Sequence, residues 1–125
     1  MKPFAHRRKP RLREVGTDPD YRFTLANERT FLAWIRTSLA LIAAGAAVTS
    51  LLPRLGTRGP RSALGLGLLL LGMTVAGASY RRWDRTERAL RLGAALPPTS
   101  LTRLIAVGVV LLTIALIVLV LLGQR

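Results

Sequence analysis

Three long apolar segments divide the chain, at residues 31–52, 62–80 and 104–122. Each is close to the roughly 20 residues that an α-helix needs to cross about 30 Å of hydrocarbon. Because a backbone inside lipid must satisfy its own hydrogen bonds, each segment is predicted to be a helix. The pattern therefore predicts an all-α membrane protein with three transmembrane helices in each chain.

The polar stretches between these segments predict the domain organisation. Residues 1–20 have low hydrophobicity, early prolines and a run of Lys and Arg, which is typical of a basic mobile arm. Residues 21–125 are predicted to form the transmembrane domain, with helices over about 22–52, 61–92 and 102–122. The first helix is expected to begin before its apolar part, and therefore to extend on the cytoplasmic side.

Composition narrows the class of protein further. Half of the residues are hydrophobic, yet the formal net charge is +13, a combination typical of a small membrane protein with basic ends. The chain has no cysteine and a single histidine, His6, so neither a metal site nor a cofactor is expected. No catalytic constellation appears in the sequence, and we expect no enzyme. Nucleic-acid binding is not expected, because the basic arm leads straight into a membrane helix.

The distribution of basic residues predicts the orientation. Residues 1–23 hold seven Lys or Arg and residues 81–101 hold five, whereas residues 53–61 hold three and the C-terminal end holds one. Loops rich in Lys and Arg stay in the cytoplasm. We therefore expect a multi-pass protein of the bacterial plasma (inner) membrane, with the N-terminus cytoplasmic and the C-terminus external.

The first helix has an unusual row of cations. Arg22, Arg29 and Arg36 are seven residues apart, so on a helix they lie within about 20° per heptad of one line. A neighbouring line consists of alanines at 26, 33, 40 and 47. Charged side chains at membrane depth usually face a water-filled or anion-filled space rather than lipid.

Small residues spaced four apart predict which helices pack together. Helix 1 has the pair Ala40 and Ala44, and helix 2 has the pair Gly72 and Ala76. Such residues let helix backbones approach closely in lipid. We expect helices 1 and 2 to form the packed pair and helix 3, which is rich in Leu, Val and Ile, to face lipid.

The stretch LANERTFLAW, at residues 25–34, resembles the signature of the YidH-type family of bacterial inner-membrane proteins, a domain of unknown function numbered 202. It is also similar to the transmembrane part of the eukaryotic vacuolar transporter chaperone complex. The likeness covers roughly residues 20–122 by helix count and order. It implies a three-helix membrane domain.

The resemblance also implies a function and candidate residues. In the eukaryotic complex, five such domains surround a polyphosphate-conducting pore lined by basic residues, which implies a homo-oligomer, with a pentamer favoured by analogy. Matched by position, Arg22 and Arg29 are pore-lining candidates. A third basic position follows helix 2, where the candidates are Arg81, Arg82 and Arg85. Arg36 departs from the eukaryotic pattern.

Several interpretations of the charged residues remain open. Arg36 either lines a pore or extends to the cytoplasmic interface along its own side chain. Arg29 and Glu28 either serve an anion site or form an ordinary interfacial ion pair, and Glu28 is also within reach of the Arg81–Arg85 segment.

Asn27 is expected to satisfy a helix end or an interhelical hydrogen bond, or to contact a ligand, and Trp34 to be an interface anchor or a packing residue. Spacing of four residues predicts two ion pairs on helix 2, Glu87 with Arg91 and Asp84 with Arg88.

Two functions follow from these features. The first is an oligomeric inner-membrane protein whose basic helix-1 face forms a channel or transport module for anions or polyphosphate. The alternative is a structural or accessory membrane protein that binds anionic lipids and partner proteins. In either case membrane lipids are the expected surroundings.

Overall fold

The computed structural model describes residues 10–51 and 58–123. Within these ranges the regular elements are a short 3-10 helix at Leu12–Glu14 and three long helices: α1 at Tyr21–Leu51, α2 at Arg58–Leu92 and α3 at Leu101–Gly123. The all-α fold is confirmed, and all three helices are long and apolar enough to cross a membrane. The predicted end of helix 1 at residue 52 and the first nine residues of the arm lie outside the described residues.

Helix length separates α3 from the other two. At about 1.5 Å per residue, the 31 residues of α1 span about 46 Å and the 35 residues of α2 about 52 Å. The 23 residues of α3 span about 34 Å, close to the thickness of the hydrocarbon core. The excess length of α1 and α2 lies where their polar residues are, at the start of α1 and the end of α2. These two ends lie side by side.

Helices α1 and α2 form the close pair that the small residues predict. The hydroxyl of Ser38 donates a hydrogen bond to the carbonyl oxygen of Gly72, with 2.7 Å between the oxygens, and both residues are buried. A Cβ atom added to Gly45 would lie 2.8 Å from the carbonyl oxygen of Gly65. The close approach therefore needs glycine at Gly45 on α1 and at Gly72 on α2, because a side chain at either position would separate the backbones.

The four small residues predicted for packing lie in different places. Gly72 is buried against α1 and Ala76 is half-buried on α2, whereas Ala40 and Ala44 are exposed. Helix geometry explains the difference, because Ala40 lies two residues from Ser38 and therefore about 160° around α1 from the α2 contact.

Helix α3 packs against α2 through a second set of contacts. Leu71 contacts Gly108, and Leu112 contacts Gly67. Near the opposite end of the bundle, Leu119 joins Val48 and Leu64 in a small apolar cluster. Most of the remaining α3 side chains are exposed, which agrees with the expected lipid-facing role.

Candidate functional site

A buried polar cluster joins the extended ends of α1 and α2. The carboxylate of Glu87 is only 4% exposed, and it accepts hydrogen bonds from the hydroxyl of Thr24 at 3.1 Å and from the side-chain amide of Asn27 at 3.3 Å. The same amide also donates to the carbonyl oxygen of Trp83 at 3.2 Å. Asn27 therefore forms interhelical hydrogen bonds between α1 and α2 of the same chain. A buried carboxylate needs such partners because its desolvation is costly.

The ion pairs on α2 differ in part from the prediction. Arg88 lies 2.9 Å from Asp84, as predicted, and also donates to the carbonyl oxygen of Pro10 at 3.2 Å. The predicted pair of Glu87 with Arg91 is wrong, because Glu87 turns toward α1 and Arg91 lies 3.0 Å from Asp18. Sequence spacing misses this arrangement because both partners come from other parts of the chain.

The described part of the N-terminal arm lies against α2. The backbone N–H of Thr17 donates to the carbonyl oxygen of Arg91 at 3.1 Å. Gly16 has a positive φ of 62°, and a Cβ atom there would clash with the same carbonyl group of Arg91. Together with the Asp18–Arg91 pair, these contacts attach residues 10–18 to the end of α2.

The arginines of α1 lie on the face opposite α2. Arg22, Arg29 and Arg36, which we call the α1 arginine row, are all exposed. Each is two residues from a side chain that bonds α2, and two residues correspond to about 160° around a helix. Those side chains are Thr24, Asn27 and Ser38 respectively.

No guanidinium group of the α1 arginine row forms an ion pair within 4.0 Å among the described residues, although the backbone N–H of Arg22 donates to the carboxylate of Asp20 at 3.0 Å. The outer face that it shares with Ala40 is covered by neither α2 nor α3. The structure therefore places the three arginines on one face, as the heptad spacing predicts, and shows no ion pair for their guanidinium groups among residues 10–51 and 58–123.

A second set of arginines, the α2 arginine cluster, consists of Arg81, Arg82 and Arg85. On α2, the carbonyl group of Trp83 and the side chain of Glu87 bind Asn27 of α1. Arg81 and Arg85 each precede one of these residues by two positions, which is about 160° around the helix, so they lie on the side of α2 that faces away from α1. The α1 arginine row and the α2 arginine cluster are thus on opposite sides of the helix pair. Within one chain the structure does not join them into a single site.

The α2 arginine cluster lines a cavity of about 230 Å³ between the end of α2 and the start of α3. Thr99 and Ser100 also line it, and the Nε of Arg82 donates to the hydroxyl of Thr99 at 3.2 Å. Sequence analysis missed these two hydroxyl residues. The available signal was their place directly after Pro97-Pro98, where a loop meets the first turn of α3.

The other predicted site residues, Glu28 and Trp34, belong to neither arginine set. Glu28 is exposed and lines a shallow groove with Phe31, Tyr80 and Trp83, rather than pairing with the α2 arginine cluster. The rings of Phe31 and Trp83 have centroids 6.4 Å apart. Trp34 is half-buried. No cluster of His, Cys, Asp or Glu that suits a metal ion occurs in the described parts of the chain.

The fold and its two arginine sets define a small multi-pass membrane protein with basic surfaces at one membrane boundary. A family model described as "Domain of unknown function (DUF202)" matches residues 22–89, which span the α1–α2 pair and its polar cluster. The chain belongs to this family.

Two curated bacterial relatives are similar to the chain over most of its length. The chain is 44% identical over 108 residues to "Inner membrane protein YidH" of Escherichia coli strain K12, covering 86% of this chain and 92% of that protein. It is 46% identical over 94 residues to "Uncharacterized protein Rv2272" of Mycobacterium tuberculosis strain H37Rv, covering 75% and 77%. No solved structure matches the chain. Together with the three apolar helices, the likeness to YidH supports a multi-pass inner-membrane protein.

Proposed function

We propose that this protein forms a homo-oligomer in the inner membrane, in which the α1 faces of several copies surround a binding site or passage for anions. Phosphate polymers are the favoured ligand class, because they present many negative charges in a line. The single observation that supports the proposal is the α1 arginine row, which is exposed on the face opposite α2 and whose guanidinium groups form no ion pair among the described residues.

The depth of Arg36 in the apolar part of α1 is the strongest part of this observation. Arg36 lies five residues after Phe31, about 7.5 Å into the apolar part of α1. An ionised side chain at membrane depth is costly, and it usually faces a bundle interior or an aqueous cavity. Arg29 lies about 10.5 Å from Arg36 along the axis, so the two positions form successive steps along one path.

Oligomerisation follows from the same face. A chain of three helices in which α1 and α3 both pack on α2 encloses no passage of its own. Copies that meet through α1 convert each arginine into a ring of cations. Rings of like charge are stable only when water or bound anions compensate them, since repulsion increases in a low-dielectric space. A polyanion along the axis supplies that compensation.

The test is anion flux through the purified oligomer in liposomes. We expect wild-type protein to release entrapped short-chain polyphosphate, and the double variant Arg29→Gln/Arg36→Gln to lose this release while keeping its helical content and oligomer size. The matched control is Arg103→Gln, which removes an exposed arginine from the first turn of α3. We expect it to behave as wild type.

A folded wild-type oligomer that passes no anion would overturn the transport function. The same exposed arginines then favour the second candidate function, an accessory membrane protein that holds anionic lipids and a partner protein. Loss of release in Arg103→Gln as well would indicate that total charge, rather than the α1 face, controls the flux.

A further inference from the structure

We infer that the cavity lined by the α2 arginine cluster binds the phosphate group of an anionic phospholipid. The inference concerns the α2–α3 corner of the molecule, and it does not depend on anion passage along α1. The cavity has a volume of about 230 Å³. This space exceeds that of several water molecules, enough for a phosphate group with some of its bound water.

The charge of the cavity selects an anion. Arg81, Arg82 and Arg85 all line it, and no acidic residue is among its lining residues. The nearest acid along α2, Asp84, is held by Arg88 at 2.9 Å and is therefore already paired. Neither Arg81 nor Arg85 has an ion-pair partner within 4.0 Å in the described ranges. Three neighbouring guanidinium groups without an acid repel one another, and a bound phosphate relieves that repulsion.

The polar groups of the cavity suit phosphate in geometry as well as in charge. Guanidinium groups present planar sets of N–H donors that match phosphate oxygens. The hydroxyls of Thr99 and Ser100 provide further donors on the opposite wall. Arg82 already donates its Nε to Thr99 at 3.2 Å, which fixes the spacing between the α2 wall and the loop wall before any ligand arrives.

The remaining lining residues favour a lipid over free phosphate. The apolar lining residues are Pro97 and Pro98 in the loop, and Ala78, Leu101 and Leu104 in the helices α2 and α3, which are long and apolar enough to cross a membrane. The cavity therefore lies at the boundary where a headgroup phosphate meets its acyl chains. The adjoining surface of α3 is apolar and exposed, with Val107 and Leu111 more than half exposed. A phospholipid contacts both the arginines and this surface, whereas free phosphate contacts only the arginines.

The test measures lipid-dependent stabilisation of the delipidated oligomer in detergent. Three probes are added at matched concentration: phosphatidylglycerol, phosphatidylcholine and inorganic phosphate. We expect phosphatidylglycerol to raise the melting temperature of the wild type more than phosphatidylcholine does, and inorganic phosphate to have little effect. Equal stabilisation by inorganic phosphate alone would overturn the assignment to a lipid.

Arginine variants test whether the phosphatidylglycerol binds in this cavity. Removal of one charge-assisted contact in Arg82→Gln is expected to weaken phosphatidylglycerol binding roughly tenfold. The triple variant Arg81→Gln/Arg82→Gln/Arg85→Gln is expected to lose the preference over phosphatidylcholine. Arg103→Gln, an exposed arginine outside the cavity lining, is expected to keep it. If Arg103→Gln loses as much as Arg82→Gln, the preference reflects general surface charge and the site is wrong.

Native mass spectrometry gives a second readout that does not depend on the folding of the triple variant. We expect the wild type to retain phosphatidylglycerol through detergent exchange and Arg82→Gln to retain less. The double variant Arg29→Gln/Arg36→Gln is expected to retain it fully, because the α1 arginine row lies on the other side of the helix pair. Equal loss in that variant would overturn the separation of the two sites.

Discussion

The amide of Asn27 on α1 donates to the carboxylate of Glu87 on α2, with 3.3 Å between nitrogen and oxygen, and both side chains are buried. This contact links a residue of the LANERTFLAW stretch to a helix end 60 residues away. It lies in the part of the helix pair that extends beyond the apolar segments. The motif therefore has a structural role in addition to any role in ligand binding.

The first prediction concerns this contact. Glu87→Ala removes the acceptor that Asn27 and Thr24 share, and leaves the Asn27 amide with only the carbonyl oxygen of Trp83. We expect the free energy of unfolding to fall by about 1–3 kcal/mol, because buried hydrogen bonds are lost. Denaturation in mixed micelles measures the change. The matched control is Glu28→Ala, which removes an exposed carboxylate and is expected to cost less than about 0.5 kcal/mol. An equal loss in the free energy of unfolding for the two variants would mean that the buried cluster contributes no more to stability than an exposed carboxylate does.

The second prediction compares two glycines of α2. A Cβ atom on Gly72 would lie 2.7 Å from a side-chain carbon of Ile42 and 2.9 Å from the carbonyl oxygen of Ser38, whereas one on Gly77 meets nothing within 4 Å. We expect Gly72→Ala to destabilise the fold by about 1–3 kcal/mol through overpacking. Gly77→Ala has the same chemistry in open space, and we expect it to be neutral or stabilising. Similar unfolding midpoints for the two variants would contradict the α1–α2 contact.

The third prediction concerns the N-terminal arm. Gly16→Ala places a side chain on a residue with positive φ and against the carbonyl group of Arg91, so we expect residues 10–18 to detach from α2. Limited trypsin digestion should then cleave faster after Arg11 and Arg13. Gly59→Ala is the control, since a Cβ atom there meets nothing within 4 Å. Unchanged cleavage in Gly16→Ala would show that these contacts do not hold the arm.

The fourth prediction concerns orientation. The seven and five basic residues of segments 1–23 and 81–101, against three in residues 53–61 and one at the C-terminal end, predict a cytoplasmic N-terminus and an external C-terminus. A periplasmic reporter fused after residue 125 should be active and a cytoplasmic reporter inactive. The opposite pattern would reverse the orientation.

The fifth prediction concerns salt. If the α1 arginine row binds polyphosphate, affinity should fall between about 0.1 M and 1 M salt, because the screening length shrinks from about 10 Å to about 3 Å. The variant Arg29→Gln/Arg36→Gln should show weaker binding and a shallower salt dependence. Fluorescence anisotropy of labelled polyphosphate measures both. A binding constant that does not respond to salt would exclude a charge-based site.

Much of the fold is predictable from the sequence, because the length and hydropathy of a segment are enough to predict a membrane helix. The predicted spans at 61–92 and 102–122 differ from α2 and α3 by no more than three residues at any end. The arginine row is equally accessible, since heptad spacing alone puts Arg22, Arg29 and Arg36 on one face. Both results depend only on local periodicity.

What the sequence does not reveal depends on how helices face one another. Glu87 is four residues from Arg91, so local spacing favours an ion pair, but the long-range approach of Asn27 provides a better-buried partner. Likewise, the sequence alone does not separate Arg81 and Arg85 from the α1 arginine row. The rotation of α2 about its own axis places them on the side of α2 that faces away from α1. The rotation of one helix about its axis is fixed by tertiary packing, here by Gly65 and Gly72.

The opposed placement of the two arginine sets has a consequence for any closed assembly. If several copies stand in a circle with α1 innermost, the α2 arginine cluster necessarily points outward. Such a circle has two concentric belts of positive charge, separated by about the thickness of two helices, or roughly 20 Å. In that arrangement, the inner belt would face soluble anions and the outer belt would face the headgroups of the surrounding leaflet. Each belt can change in evolution without disturbing the other.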